Sequence, residues 1–254
     1  MKTFTRAIFS VLIGAFAITN VAGAQEVLHV YGPGGPAPAM KEAAATFEKQ
    51  AGIKVEVTAG PTPQWIAKAK SDADVVFSGS ETMMTDFVLA FEGRINESEV
   101  RPLYLRPLSI LVRPGNPKKI AKLKDILRPG VKVLVVNGAG QNGVWEDVAG
   151  RKGDLNTVKS LRKNIVGYAK NSAEARQQWI EKPEIDAWLI WNIWQVANPT
   201  LADVVKIEPE YAIYRDTGAV LTTQGKTKDA ARQFLDFLSS PEGAKIFKKW
   251  GWIA

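Results

Sequence analysis

Three short stretches carry the residue types that can capture an anion without a charged side chain. They are Gly32-Pro33-Gly34-Gly35-Pro36-Ala37-Pro38, Ser78-Gly79-Ser80, and Asn137 to Trp145, which reads NGAGQNGVW. Each follows a β-like run and precedes a helical one. A strand-to-helix turn leaves main-chain N–H groups exposed, and the helix dipole adds positive potential there. Glycine permits close approach, and Ser78, Ser80, Asn137, Gln141 and Asn142 supply neutral hydrogen bonds. In open α/β sheets ligands bind at the carboxyl ends of strands, where all three turns fall. One such turn more often only redirects the chain; three together point to a site. Its candidates are Gly34, Gly35, Pro36, Ser78, Gly79, Ser80, Gly140, Gln141 and Asn142.

Gly60-Pro61-Thr62-Pro63-Gln64-Trp65 forms a rigid loop. It offers Thr62 and Gln64 as hydrogen-bond partners and Trp65 as a cleft wall, against a plainer reading in which Trp65 packs on the core. Trp188, Trp191 and Trp194 recur every third residue and suit a core. With Trp191 facing a cleft, Asn192 beside it becomes a ligand contact, and the aromatic walls would suit a neutral sugar. Arg106, Arg113 and Arg215 lie near the chain crossings inferred below, where any one could pair with a carboxylate, phosphate or sulfate. Solvated surface is the stronger reading for each.

Catalytic chemistry is poorly supplied. His29 is the sole histidine and sits between Leu28 and Val30 in a strand, and there is no cysteine. That leaves no thiolate nucleophile or disulfide, and speaks against a transition-metal site. Ser78 lies in FSGSE, not G-x-S-x-G. Gly138, Gly140 and Gly143 spell G-x-G-x-x-G, but Ala169 and Lys170 stand where a dinucleotide site wants an acid. The expectation is a binding protein without catalytic residues, metal or cofactor.

Lys2 and Arg6, the apolar run Ile8 to Ala17, and Ala22-Gly23-Ala24 make an export signal over residues 1–24, with Gln25 as the mature start. The expected location is the periplasm, with no membrane insertion after cleavage. The formal charge of +7 falls to +5 without Lys2 and Arg6. Basic pairs such as Lys118-Lys119 and Lys248-Lys249 stand among acids and apolar residues. They read as solvated surface, and nucleic acid is not an expected partner. A positive field would still draw in an anion.

Alternating β-like and helical stretches imply βαβ units and a largely parallel sheet. Strands are expected at Val27 to Tyr31, Ile53 to Thr58, Asp74 to Phe77, Val131 to Val136, Ile165 to Tyr168, Ile185 to Ile190, Val204 to Glu208 and Gly218 to Thr223. Met40, Ala43, Ala44 and Phe47 give the apolar face of a helix opened near Pro38, and a second helix is expected from Glu81 to Phe91. Arg101 to Pro117 packs four prolines around Leu108 to Val112, which reads as an extended crossing into a second lobe. Gly218 to Thr223 could return, and Thr217 beside it is a further candidate contact. The chain thus divides into residues 25–105 and 219–254 as lobe one and 106–218 as lobe two, an α/β architecture with a cleft between two lobes joined by two crossovers.

The segments LHVYGPGGPAPAMKEAAATFEKQAGIKVEV, AGPTPQW and DADVVFSGSETMM closely resemble the accessory colonization factor proteins of bacteria. Those are similar to the molybdate- and sulfate-type periplasmic binding proteins. The ending KDAARQFLDFLSSPEGAKIFKKWGW looks like the C-terminal signature of that wider class. The likeness runs from about Val27 to Trp252. It implies a type II periplasmic-binding fold and an anionic ligand such as sulfate, molybdate, or a small carboxylate or phosphorylated acid. It further implies contacts from Gly34 to Pro36, Ser78 to Ser80 and Gly140 to Asn142. An ABC-type permease or a chemoreceptor is the implied partner. Oxyanion binders often carry serines in the first turn, where this chain has Gly34-Gly35-Pro36; a larger organic acid therefore fits at least as well. An adhesin acting through protein contacts and a neutral-sugar binder using Trp65 and Trp191 are the alternatives. The sequon Asn96-Glu97-Ser98 follows Arg94 rather than an acid and reads as a chance match.

Overall fold

The computed structural model describes residues 26–254, so the expected export signal at 1–24 lies outside the described residues. In chain order the elements are β1 (Val27–Gly32), α1 (Ala37–Ala51), β2 (Lys54–Ala59), α2 (Ile66–Asp72), β3 (Val75–Phe77), α3 (Glu81–Ala90) and β4 (Arg101–Val112). There follow β5 (Val133–Val136), α4 (Val144–Gly150), α5 (Leu155–Asn164), β6 (Ile165–Ala169), α6 (Ser172–Glu181), β7 (Ala187–Trp191) and α7 (Ile193–Ala197). The chain closes with β8 (Asp203–Lys206), β9 (Tyr214–Leu221), α8 (Asp229–Leu238) and α9 (Pro241–Lys249).

The strands hydrogen-bond in the order β2-β1-β3-β9-β4-β7-β5-β6, with β8 also on β4. The two ends of this path are the two lobes, each with its own βαβ units. Pairing is parallel within those units, β1 with β2 and β3, and β5 with β6 and β7. It is antiparallel wherever β4 or β9 takes part. The largely parallel sheet expected from the alternation is therefore corrected. Two strands that cross between lobes in opposite directions must pair antiparallel with each other.

β4 is the pivot. Arg101 to Pro107 pair with β9, and Leu108 to Val112 pair with β7 and β8. Pro107 has no N–H to donate, so it suits the point where a strand changes partners. β9 starts at Tyr214, well before the Gly218 expected from sequence, because β4 offers it a ladder that continues to Pro107. The segment YRDTG has little strand propensity of its own, and pairing overrides that.

Each lobe buries a conventional core. Met40, Ala43, Ala44 and Phe47 of α1 face inward as their spacing requires, with Phe47 against Phe234 and Phe237 at ring distances of 5.3 and 5.7 Å. The returning C-terminal helices therefore pack on lobe one. Ser240 caps α9 by accepting the Gly243 N–H at 3.1 Å, with Pro241 at the first helical position. In lobe two Val133 to Val136 are buried on both faces, as a central parallel strand requires.

Candidate functional site

A cavity of about 80 Å³ lies between the lobes. One water needs about 10–15 Å³ measured this way, so there is room for several water-sized groups and not for an oligosaccharide. Lobe one contributes the turn after β1 (Pro33 to Pro36), the loop at Gly60 to Thr62, and the turn after β3 with Gly79 and Ser80. Lobe two contributes Ala139 and Gln141 from the turn after β5, and Asn171, Ser172 and Ala173 at the start of α6. The crossing β4 supplies Arg106, while Trp191 and Trp194 close the inner end.

Three helix N-termini thus face one space. α1 begins behind Pro36 with no side-chain cap. α3 is capped by Ser80, whose Oγ accepts the Met83 N–H at 3.2 Å. α6 is capped by Asn171, which accepts the Glu174 N–H at 2.9 Å. Among the described residues, the main-chain N–H groups of Gly34, Gly35, Gly79, Ser80, Ser172 and Ala173 have no protein acceptor. Gln141 Nε2 donates to Ser172 Oγ at 2.9 Å, fixing the lobe-two wall.

Arg106 is the one charged residue among those lining the cavity. It is 4 % exposed, and its guanidinium lies 4.8 Å from the Trp191 ring centroid and 5.0 Å from that of Trp252. Its Nη2 donates to the Gly79 carbonyl, while Nε has no partner. A Cβ at Gly35 would meet Nη1 at 3.0 Å and one at Gly79 would meet Nη2 at 3.1 Å, so the two glycines make room for the cation. Burial pushes Arg106 down to about 9, partly offset by the negative charge of Asp216, and it stays cationic at neutral pH. No carboxylate forms an ion pair with it among the described residues. The indole N–H groups of Trp191 and Trp194 are buried without partners as well. Unpaired buried donors around a cation are costly unless an acceptor meets them. The arrangement suits an anion.

Seven sequence-derived candidates meet at this cavity: Gly34, Gly35, Pro36, Thr62, Gly79, Ser80 and Gln141. Seven others do not. Trp65 is 2 % exposed and packs beside Phe87 and Tyr31, its indole N–H donating to the Gly60 carbonyl at 3.1 Å; it is core and not a cleft wall. Gln64 and Asn142 are exposed and point elsewhere. Ser78 and Thr217 lock β3 to β9: the Thr217 hydroxyl donates to the Ser78 carbonyl at 2.7 Å, and Ser78 Oγ accepts the Gly218 N–H at 3.3 Å. Asn192 turns away and donates from Nδ2 to the Gly251 carbonyl at 2.7 Å. Gly140 faces lobe one, where its carbonyl accepts from Ser80 Oγ at 3.3 Å. Gly140 to Asn142 precede the helix start of this turn, since α4 opens at Val144 behind Gly143.

Arg106, expected as solvated surface, and the α6 start, absent from the expected contacts, both line the cavity. Both left a signal. Between Tyr104 and Leu108, β4 alternates buried Tyr104, Arg106 and Leu108 with the outer Leu105 and Pro107, so Arg106 occupies an inward slot of an alternating stretch. Asn171-Ser172 directly after β6 is a cap signature. The other two arginines are structural. Arg113 donates to the carbonyls of Ile185, Trp179 and Lys182 and stacks 3.7 Å from the Trp179 ring centroid. Arg215 pairs with Asp147 at 2.9 Å.

Residues 28–253 match the family described as bacterial extracellular solute-binding protein. A solved structure of PEB3 with L-phospholactate bound is 37% identical, with a TM-score of 0.85, covering 89% of this chain and 99% of that one. The sulfate-binding protein of Escherichia coli K12 is 24% identical over 215 residues, 70% of this chain and 64% of that protein. The sulfate-binding protein SubI of Mycobacterium tuberculosis, 16% identical with a TM-score of 0.74 over 89% of this chain and 86% of that one, shares the fold. The chain belongs to the bacterial extracellular solute-binding protein family, whose members bind substrates and are not enzymes. It has the type II periplasmic-binding fold expected from sequence.

Proposed function

We propose that this chain is a periplasmic capture protein for a small phosphorylated carboxylic acid, held between lobes that close around it. The observation that carries the reading is Arg106, buried and unpaired in a cavity lined by three helix N-termini and no acidic residue. One anionic group meets Arg106 and the Gly34-Gly35 and Gly79-Ser80 amides. A second meets Gln141 and the Ser172-Ala173 amides of lobe two. A ligand with charge at both ends ties the lobes together, which a single compact oxyanion does less well. The L-phospholactate bound to PEB3 has that chemistry, which supports the choice. Closure excludes water and strengthens each hydrogen bond.

The lobes divide at 25–105 with 219–254 and at 106–218, the borders lying inside the continuous strands β4 and β9. Those strands are the hinge. Export relies on residues 1–24, and the loaded protein delivers its ligand to an ABC-type permease or a chemoreceptor. The test is thermal unfolding of residues 25–254, refolded to strip trapped ligand, against phospholactate, phosphate, sulfate, molybdate, citrate and glucose. A ligand at a hundred times its Kd adds about 2.7 kcal/mol, at about 2–4 °C per kcal/mol for a chain of this size. A shift of several degrees with phospholactate, larger than with sulfate, supports the reading. A shift with glucose alone assigns a sugar binder, and no shift with any solute returns the adhesin.

A further inference from the structure

The positive charge of the chain is unevenly placed. Residues 25–254 carry a formal +5, which is the whole-chain +7 less Lys2 and Arg6. Within residues 113–132, seven lysines and arginines stand against one acid, Asp125, a formal +6. Everything outside this segment therefore nets about zero, at −1.

Packing decides where that charge points. Ile120, Leu123 and Ile126 are fully buried and pin the segment to lobe two, between the end of β4 and the start of β5. Lys118, Lys119, Lys122, Lys124 and Arg128 alternate with them and are exposed. The end of α5 adds Arg162 and Lys163 to the same face, because Asn164 donates from Nδ2 to the carbonyls of Ile126 and Arg128, both at 2.8 Å.

The nearby acids are mostly committed elsewhere. Asp125 accepts the N–H groups of Ala121 and Lys122 at 2.8 and 3.1 Å, and Glu208 accepts that of Leu123 at 2.8 Å. Asp186 accepts the Lys132 N–H at 2.9 Å and lies 3.7 Å from the Lys118 ammonium. Glu184 is exposed beside it and offsets one charge.

This face lies at the amino end of β5, whereas the cavity lies at its carboxyl end. Engaging one leaves the other free. None of the exposed large apolar side chains belongs to residues 113–132. A stereospecific protein partner is gripped through buried aromatic or aliphatic anchors, which the face lacks. A continuous negative surface asks only for several flexible cations close together, each worth about fivefold in binding. We infer that the 113–132 face holds the protein peripherally against an anionic phospholipid bilayer.

The test is co-sedimentation of residues 25–254 with phosphatidylcholine vesicles, with and without phosphatidylglycerol, at about 0.05 M and about 0.5 M salt. Two variants with equal charge change are compared. One is Lys118→Glu, Lys119→Glu, Lys122→Glu and Lys124→Glu together; the other is Lys41→Glu, Lys68→Glu, Lys245→Glu and Lys248→Glu, all exposed on lobe one. Thermal unfolding checks that both fold. Binding is expected only to phosphatidylglycerol vesicles, lost at high salt, with at least about a tenfold loss in the first variant and little in the second. Equal losses in both variants, retention in the first, or no vesicle binding at low salt would overturn it. Capture by an acidic polypeptide without vesicle binding would overturn it too and assign the face to a protein.

Discussion

Ser80 Oγ donates to the Gly140 carbonyl across the cleft, at 3.3 Å, and this contact marks the lobes as closed. Gly140 has φ +74, and a Cβ built on it would lie 2.8 Å from Met83 Cβ and 2.9 Å from Ser80 Oγ. Both neighbours belong to lobe one, so the absence of a side chain is what lets the turn after β5 seat against the start of α3.

Gly140→Ala should therefore hinder closure while leaving each lobe folded. Ligand affinity should fall at least about tenfold, the 1.4 kcal/mol equivalent of a lost close contact. The ligand-dependent fall in radius of gyration seen by small-angle scattering should shrink. An unchanged affinity and an unchanged compaction would show that the lobes do not need this contact.

Glu81 opens α3 beside Asp216 of β9. Burial first, and then that neighbouring carboxylate, raise its pKa above the ordinary 4.5. A carboxyl raised on folding holds a proton that the unfolded chain has released. Its contribution is fully present below the unfolded value and is lost as pH rises through the folded one. Glu81→Gln should remove that loss. The variant should melt above the parent at pH 7 and match it below about pH 4, a comparison made by thermal unfolding across that range. A variant that melts lower at pH 7 would mean the carboxylate is a net stabiliser.

Trp65 fills the space beneath the loop it belongs to, between Tyr31 and Phe87, at ring distances of 6.0 and 5.3 Å. Trp65→Ala should cost about 3–5 kcal/mol in denaturant unfolding, the usual range for emptying a buried tryptophan site. A loss under about 1 kcal/mol with a large loss of ligand affinity would restore Trp65 to the cleft wall.

What was legible in the sequence was local. The Gly-Pro turn after β1 and the FSGS turn after β3 announce themselves because turn residues, cap residues and helix starts sit within a few positions of one another. The prolines around Leu108 to Val112 mark β4 as the crossing for the same reason. Arg106 reached the site by a nonlocal route. Its inward position follows from the pleat of β4, and its partners, Gly79 from the turn after β3 and Trp191 from β7, are far away in sequence. Trp191 and Asn192 are adjacent yet part company, one lining the cavity and the other tied to Gly251, because β7 ends between them. Ser78 and Thr217 have the residue types of ligand contacts. The antiparallel ladder between β3 and β9, invisible to composition, engages the Thr217 hydroxyl with the Ser78 carbonyl and the Ser78 hydroxyl with the Gly218 N–H.

The central claim is that Arg106 is the cation for which the cavity is built. Titration calorimetry of ligand-stripped residues 25–254 with phospholactate, in the parent, Arg106→Met and Arg106→Lys, tests it most directly. Binding should weaken at least about a hundredfold in Arg106→Met, from charge-assisted hydrogen bonds worth about 1.5–3 kcal/mol each, with an intermediate loss in Arg106→Lys. Unfolding without ligand should show Arg106→Met melting no lower than the parent, since a buried unpaired cation is removed. Affinity unchanged in Arg106→Met would contradict the account and move the anion away from this cavity.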